Sequence, residues 1–166
     1  MRTCRRSSFN NVNNVQDSCV ESPCRAYVHA QHPNVHGSPT MTQQSINIGR
    51  QHQNPIPNAC RIGPFVMTSV LIGANPDTAE LPPDLDGQCV NLFANIRQLC
   101  ERAGGSPNDI IKLTVWLADL NDRAALNREW LAMYPDPNAR PARHARKHVG
   151  NPAHLILCDF TMVIGA

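Results

Sequence analysis

Hydrophobic and polar positions divide the chain into a featureless stretch and a patterned one. Residues 1–51 are rich in Asn, Gln, Ser, His and Pro, with no sustained period of 2 or 3.6. Such a stretch buries too little apolar surface to offset the entropy of ordering it, so it reads as disordered. The domain boundary is set at residue 41. Residues 1–40 are a disordered tail or an upstream extension, Met41 reads as a natural start, and residues 41–166 form the domain. Clear pattern begins near Asn54. Ala59–Ile62 and residues 65–72 are apolar, β-favouring runs flanking Gly63-Pro64, which predicts a hairpin. Residues 75–86 carry Asn-Pro-Asp and Pro-Pro and read as loop.

Cys89, Leu92, Phe93, Ile96, Leu99, Cys100 and Ala103 then recur at helical spacing. Asp84 or Asp86 caps the start and Gly104-Gly105 the end of an amphipathic helix of about 18 residues. After a Ser106-Pro107-Asn108-Asp109 turn, Ile110–Leu117 alternates as a strand. Ile111, Leu113, Val115 and Leu117 face one way, and Lys112, Thr114 and Trp116 the other. Asp119 or Asn121 caps a second helix, with Leu126, Trp130, Leu131 and Met133 on its apolar side and Pro135 and Pro137 at its end. Residues 142–149 and 155–164 are two more strands around a Gly150-Asn151-Pro152 turn. The order β-β-α-β-α-β-β predicts an α+β fold, a single sheet with two helices on one face. The last strand is apolar on both faces, through Leu155, Leu157, Phe160, Met162 and Ile164. The bare face is therefore expected to meet another subunit in a closed, symmetric oligomer.

Composition narrows the function classes. The 166 residues suffice for one domain with a core, and a net charge of +2 implies neither nucleic acid nor membrane. The first residues lack an apolar leader core, and no run approaches the ~18 apolar residues of a spanning helix, so a soluble cytoplasmic protein is expected. Seven cysteines, an odd number scattered through the chain, read as free thiols. Cys19, Cys24, His29, His32 and His36 match no zinc-ligand spacing, so no metal is expected.

The run from Arg140 to His148 is basic, but strand alternation puts Arg143, Ala145 and Lys147 on one side and His144, Arg146 and His148 on the other. No aromatic platform is interleaved, which argues against nucleic acid. Arg143 stands out instead. An arginine fixed at the edge of a small α+β sheet presents a planar fork matched to a carboxylate, which points to a small carboxylate-bearing ligand. Trp116 and Trp130 read as core or interface, Cys158 as buried and inert, and His154 as exposed after a turn.

Several pieces occur together in a known order: Asn54-Pro55, Phe65-Val66-Met67-Thr68-Ser69, Ile72-Gly73, Asn91…Asn95-Ile96, Gly104-Gly105…Asp109-Ile110-Ile111-Lys112, Thr114 to Asp119, Leu126-Asn127 and Pro141-Ala142-Arg143. In this the chain resembles the reactive intermediate deaminase family (RidA/YjgF) across residues 41–166. The resemblance implies a chorismate-mutase-like subunit in a homotrimer with three clefts between neighbours. It also implies hydrolysis of imine or enamine acids to keto acids and ammonia, without cofactor or metal. Arg143 would grip the substrate carboxylate. Asp159 stands, by strand alignment, where the family has a water-holding glutamate and would be the catalytic residue. Ser69 would line the cleft, and Asn127 matches a family asparagine with a structural role.

Three departures accompany the match. Ile56 replaces a tyrosine, Val70 a glycine and Ala145 a cysteine, so Ile56 and Ala145 would line the substrate site without protic groups. The leading expectation is a deaminase of 2-imino acids. Alternatives are a non-catalytic trimer that binds small carboxylates, or a deaminase of a larger aminomuconate- or aminoacrylate-type substrate. Action on RNA is the least supported.

Overall fold

The computed structural model describes residues 41–49 and 55–165. The expected tail over residues 1–40, with its Cys and His run, lies outside them. The elements are β1 (Gln44–Ile46), β2 (Ala59–Ile62), β3 (Phe65–Thr68), β4 (Leu71–Ile72), α1 (Leu85–Arg102), β5 (Ile110–Leu117), α2 (Ala124–Met133), β6 (Ala142–Lys147) and β7 (Ile156–Val163). They build one mixed sheet in the order β1-β2-β3-β7-β5-β6, with β4 also paired to β7. The predicted α+β order is observed, with two changes at its start.

The first change is β1, a strand inside the stretch that reads as disordered. Three residues are too few to show a period, and side-chain bonds replace patterning as its support. Asn58 Oδ1 accepts the Ile48 N–H at 3.0 Å, and Asn47 Oδ1 accepts the Asn58 N–H at 3.1 Å. The second change is a break in the strand predicted over 65–72. Met67 pairs with Thr161 and Leu71 with Cys158, so residues 68–70 face only 159 and 160. One extra residue makes a β-bulge, which kinks the strand into β3 and β4. Thr68 Oγ1 accepts the Phe160 N–H at 2.9 Å, replacing a lost ladder bond. The β2–β3 hairpin closes as expected at Gly63, whose φ of 57° lies where a Cβ is disfavoured.

In α1 the Asp84 carboxylate accepts the Gly87 N–H at 2.7 Å, a cap worth about 1 kcal/mol. Its apolar stripe, including Leu92, Phe93, Ile96 and Leu99, is fully buried. The helix ends as the glycine pair predicts: Gly105 N–H reaches Cys100 O, and Gly104 N–H reaches Glu101 O. Arg61 then donates to the Ala103 carbonyl at 2.6 Å. Fully buried Gln88 bonds the carbonyls of Pro82 and Ala153 and accepts the Leu155 N–H, fastening two loops to the helix.

β5, α2 and β6 form a parallel crossover unit. Tyr134 after α2, Cys100 of α1 and Cys158 of β7 belong to one buried core, and α1 packs on both α2 and β7. Both helices thus cover one face of the sheet.

Three local expectations are corrected. A register shift between Ile110 and Lys112 puts Ile110 inside at 4% exposure and Ile111 outside at 54%. Leu131 is exposed, one position off the 126–130–133 stripe. Asp119 does not cap α2, because its carboxylate accepts the Asn121 N–H in the preceding turn. Arg123 stands at the N-cap instead.

Cys89, Cys100 and Cys158 are buried free thiols, and Cys60 is half-buried and free. Burial pushes the Cys89 and Cys100 pKa values up to about 12. No helix among the described residues is long and apolar enough to cross a membrane. The face away from the helices exposes Ile62, Phe65, Met67 and Ile72 around Thr161 and Val163.

Candidate functional site

The two arginines of Arg140-Pro141-Ala142-Arg143 have different employment. Arg140 donates from Nε to Tyr134 O at 3.0 Å and from Nη2 to Pro135 O at 3.3 Å, so it closes the chain end of α2. Arg143 is held by side chains. It pairs in register with Leu113, a core residue, and therefore points to the helix side. There its Nη2 donates to Asn127 Oδ1 at 2.8 Å. Its guanidinium lies over the Trp130 ring, 4.7 Å from the centroid. Trp130, 6% exposed, is braced in turn by Tyr134, with ring centroids 4.7 Å apart. Tyr134 donates its hydroxyl to Pro107 O. A chain of packed rings thus fixes the plane of the guanidinium.

Arg143 has no acidic partner among the described residues. Among the described residues the ion pairs are those of Arg128 with Asp86 and Glu129. Nη1 of Arg143 is enclosed and has no acceptor. Burial, and secondarily the charge of Arg123, lower its pKa from the ordinary arginine value. A half-buried cation with an unmet donor is costly.

The other expected residues gather elsewhere. Asp159 pairs with Thr114, whereas Phe160 pairs with Leu113, so Asp159 faces away from the helices. It lies opposite the 68–70 bulge. Ser69 is in that bulge, with its N–H on Asn58 O and its hydroxyl donated to Pro57 O at 2.7 Å. That bond brings it beside Ile56, which is exposed, as is Val70. Ala145 pairs with Val115 and shares the face of Arg143. The expected site therefore falls into two groups within one chain: Arg143, Asn127 and Ala145 on the helix side of the sheet edge, and Asp159, Ser69 and Ile56 around the bulge. The sheet separates Arg143 from Asp159.

Sequence reasoning passed over Trp130 as core and did not single out Arg123. The signal was their spacing with Asn127, which sets the three on one stripe of α2. Asn91 and Asn95 act structurally, Asn95 donating to the carbonyls of Ile72 and Ala74. A cavity of about 740 Å³ lies elsewhere, lined by β1 residues with Arg61, Arg102, Ala103 and Gly104. None of the expected site residues borders it.

Residues 51–150 match the family model described as Endoribonuclease L-PSP. The 2-iminobutanoate/2-iminopropanoate deaminase of Escherichia coli (strain K12) is 39% identical over 83 residues, 49% of this chain and 65% of that protein. A RutC family protein of Haemophilus influenzae is 38% identical over 84 residues, 51% of this chain and 65% of that protein. The chain thus spans just under two thirds of the length of these relatives. The crystal structure of RidA from the Antarctic bacterium Psychrobacter sp. PAMC 21119 superposes with a TM-score of 0.66 at 32% identity, covering 73% of this chain and 99% of that one. The Escherichia coli YjgF gene product gives 0.66 at 30% identity, covering 73% and 98%. These likenesses carry the same α+β fold and agree with the resemblance seen in the sequence: the chain belongs to the RidA/YjgF family.

Proposed function

We propose that this chain is a deaminase that hydrolyses small 2-imino or enamine carboxylic acids to 2-keto acids and ammonia. Its carrying observation is Arg143, oriented by Asn127 and Trp130 yet without an acid of its own. The relative of Escherichia coli named as a 2-iminobutanoate/2-iminopropanoate deaminase supports the same chemistry.

Arg143 anchors the substrate carboxylate, which fixes C2 beside it. A water oxygen adds to C2 while the C=N electron pair moves to nitrogen, which takes up a proton. In the resulting carbinolamine the nitrogen takes up a second proton and the hydroxyl gives one up, so the C–N bond breaks as the C=O forms and ammonia leaves. One water is consumed, and no electrons are exchanged with an external partner. An imine carbon is already electrophilic, so placing the water and managing two protons is the main task.

Asp159 is the proposed water-holding carboxylate. Because the sheet stands between it and Arg143, the complete site lies at a boundary between copies: the Arg143 edge of one against the bulge of another. The apolar bare face, with Phe65 58% and Met67 63% exposed, supports such an assembly, which we assign as a homotrimer. Ser69, Ile56 and Ala145 line the boundary. The four free thiols among the described residues fit a reducing, cytoplasmic location.

Imines made in situ from alanine or 2-aminobutanoate by an amino-acid oxidase provide the test, with semicarbazide trapping what survives. Wild type lowers the trapped imine and Arg143→Ala does not; equal activity of the two would sink the role of Arg143. A second reading, a non-catalytic carboxylate-binding trimer, is favoured by Ile56 and Ala145, which offer no protic group. Keto-acid binding without turnover would select it.

A further inference from the structure

Arg123 breaks a local rule. It occupies the N-cap of α2, where a cation opposes the helix dipole and supplies no oxygen to the first-turn amides. Residues that offend local preference without compensation inside the fold are characteristic of functional positions. Among the described residues no carboxylate compensates Arg123. Arg123 Nε donates to Leu120 O at 2.6 Å, and neither of its Nη groups has a partner among the described residues. Asp119 is engaged by the Asn121 N–H, and Asp122 forms no ion pair with Arg123.

Arg123 also begins the α2 stripe that continues through Asn127, the residue bonded to Arg143. Arg123 and Asn127 are one helical turn apart, so two like charges flank Asn127, one bonded to Leu120 O and one to Asn127 Oδ1, with no carboxylate paired to either among the described residues. The charge of Arg123 accordingly disfavours the guanidinium form of Arg143. A single monocarboxylate would answer only one of the two charges.

We propose that Arg123 and Arg143 form a two-cation site, and that the preferred ligand is a dicarboxylic 2-imino or 2-keto acid, with one carboxylate on Arg143 and the second on Arg123. The inference rests on Arg143 being a carboxylate anchor and adds the class of substrate. The second carboxylate lies along α2, so it does not compete with the Ile56 and Val70 lining across the boundary. Arg123 is exposed, so its contribution is partly screened and weakens with salt.

Calorimetric titration of the assembled protein with 2-oxobutanoate and 2-oxoglutarate, at low and at high salt, tests this. The expected preference for the dicarboxylate is about fivefold at low salt, in keeping with one exposed charge pair. It shrinks at high salt and falls toward unity in Arg123→Gln. Equal affinities in wild type, or a preference that survives Arg123→Gln, overturn the two-cation site. Failure of the underlying reading looks different: 2-oxobutanoate affinity then stays the same in Arg143→Ala. Absence of binding by either acid overturns both.

Discussion

The two groups of expected site residues are built on opposite terms. Around Arg143 the fold does preparatory work: Asn127 accepts from Nη2, Trp130 supports the plane, and the enclosed Nη1 has no partner among the described residues. Around Asp159 the polar groups of the bulge are spent on the fold itself. The Thr68 hydroxyl receives the Phe160 N–H, and the Ser69 hydroxyl donates to Pro57. A single chain thus carries an oriented arginine on one side of its sheet and a chemically sparse bulge with one carboxylate on the other. The proposed function therefore assigns binding to one chain and turnover to a boundary between two copies.

Complementation breaks or confirms that division most directly. Arg143→Ala and Asp159→Asn are each expected to lower imine hydrolysis about 100-fold, the first by losing the anchor and the second by losing the water's acceptor. Mixed assemblies of the two variants should regain a measurable part of the activity, because some boundaries then pair two intact halves. No recovery after verified mixing would place both halves in one copy or remove Asp159 from the chemistry. Size-exclusion profiles and circular dichroism establish that assembly and fold are unchanged.

A finer comparison lies inside the Arg143 group. Asn127→Ala frees the guanidinium to rotate while leaving its charge in place, so KM should rise about tenfold with a smaller change in kcat. Asn127→Asp, which keeps an oxygen acceptor but adds a charge that competes with substrate, should weaken binding further. Steady-state kinetics on both variants checks the order. Equal KM values in wild type and Asn127→Ala would show that Trp130 stacking alone orients Arg143.

Legibility in the sequence followed how many residues repeat a signal. α1 repeats its stripe over five turns and carries a cap at each end, so Asp84, Leu92 and Gly104 were readable together. The β5 bulge shifts register by one residue, and Ile110 and Ile111 are both isoleucine, so composition cannot say which is buried. β1 is three residues long and depends on Asn47 and Asn58, which resemble any loop asparagines. In the site, Arg143 was legible because an arginine at an edge strand after a proline has few structural duties. The contact of Trp130 with Arg143 was hidden, because a tryptophan on an apolar stripe fits a core, and Trp130 is also part of the core. Asp159 was readable as a candidate but not its face, since that depends on which residue of β7 pairs with Leu113.

The smallest expected effect concerns the bulge. If its hydroxyls serve the fold, Thr68→Val should destabilise the protein by about 1–2 kcal/mol, because the Phe160 N–H loses its acceptor while the volume is conserved. Denaturant midpoints measure this, and keto-acid affinity at the Arg143 site should be unaltered. The opposite pattern, unchanged stability with lost turnover, would move Thr68 from the fold to the chemistry. The bulge would then hold a protic group of its own, and the contrast between a prepared side and a sparse side would no longer stand.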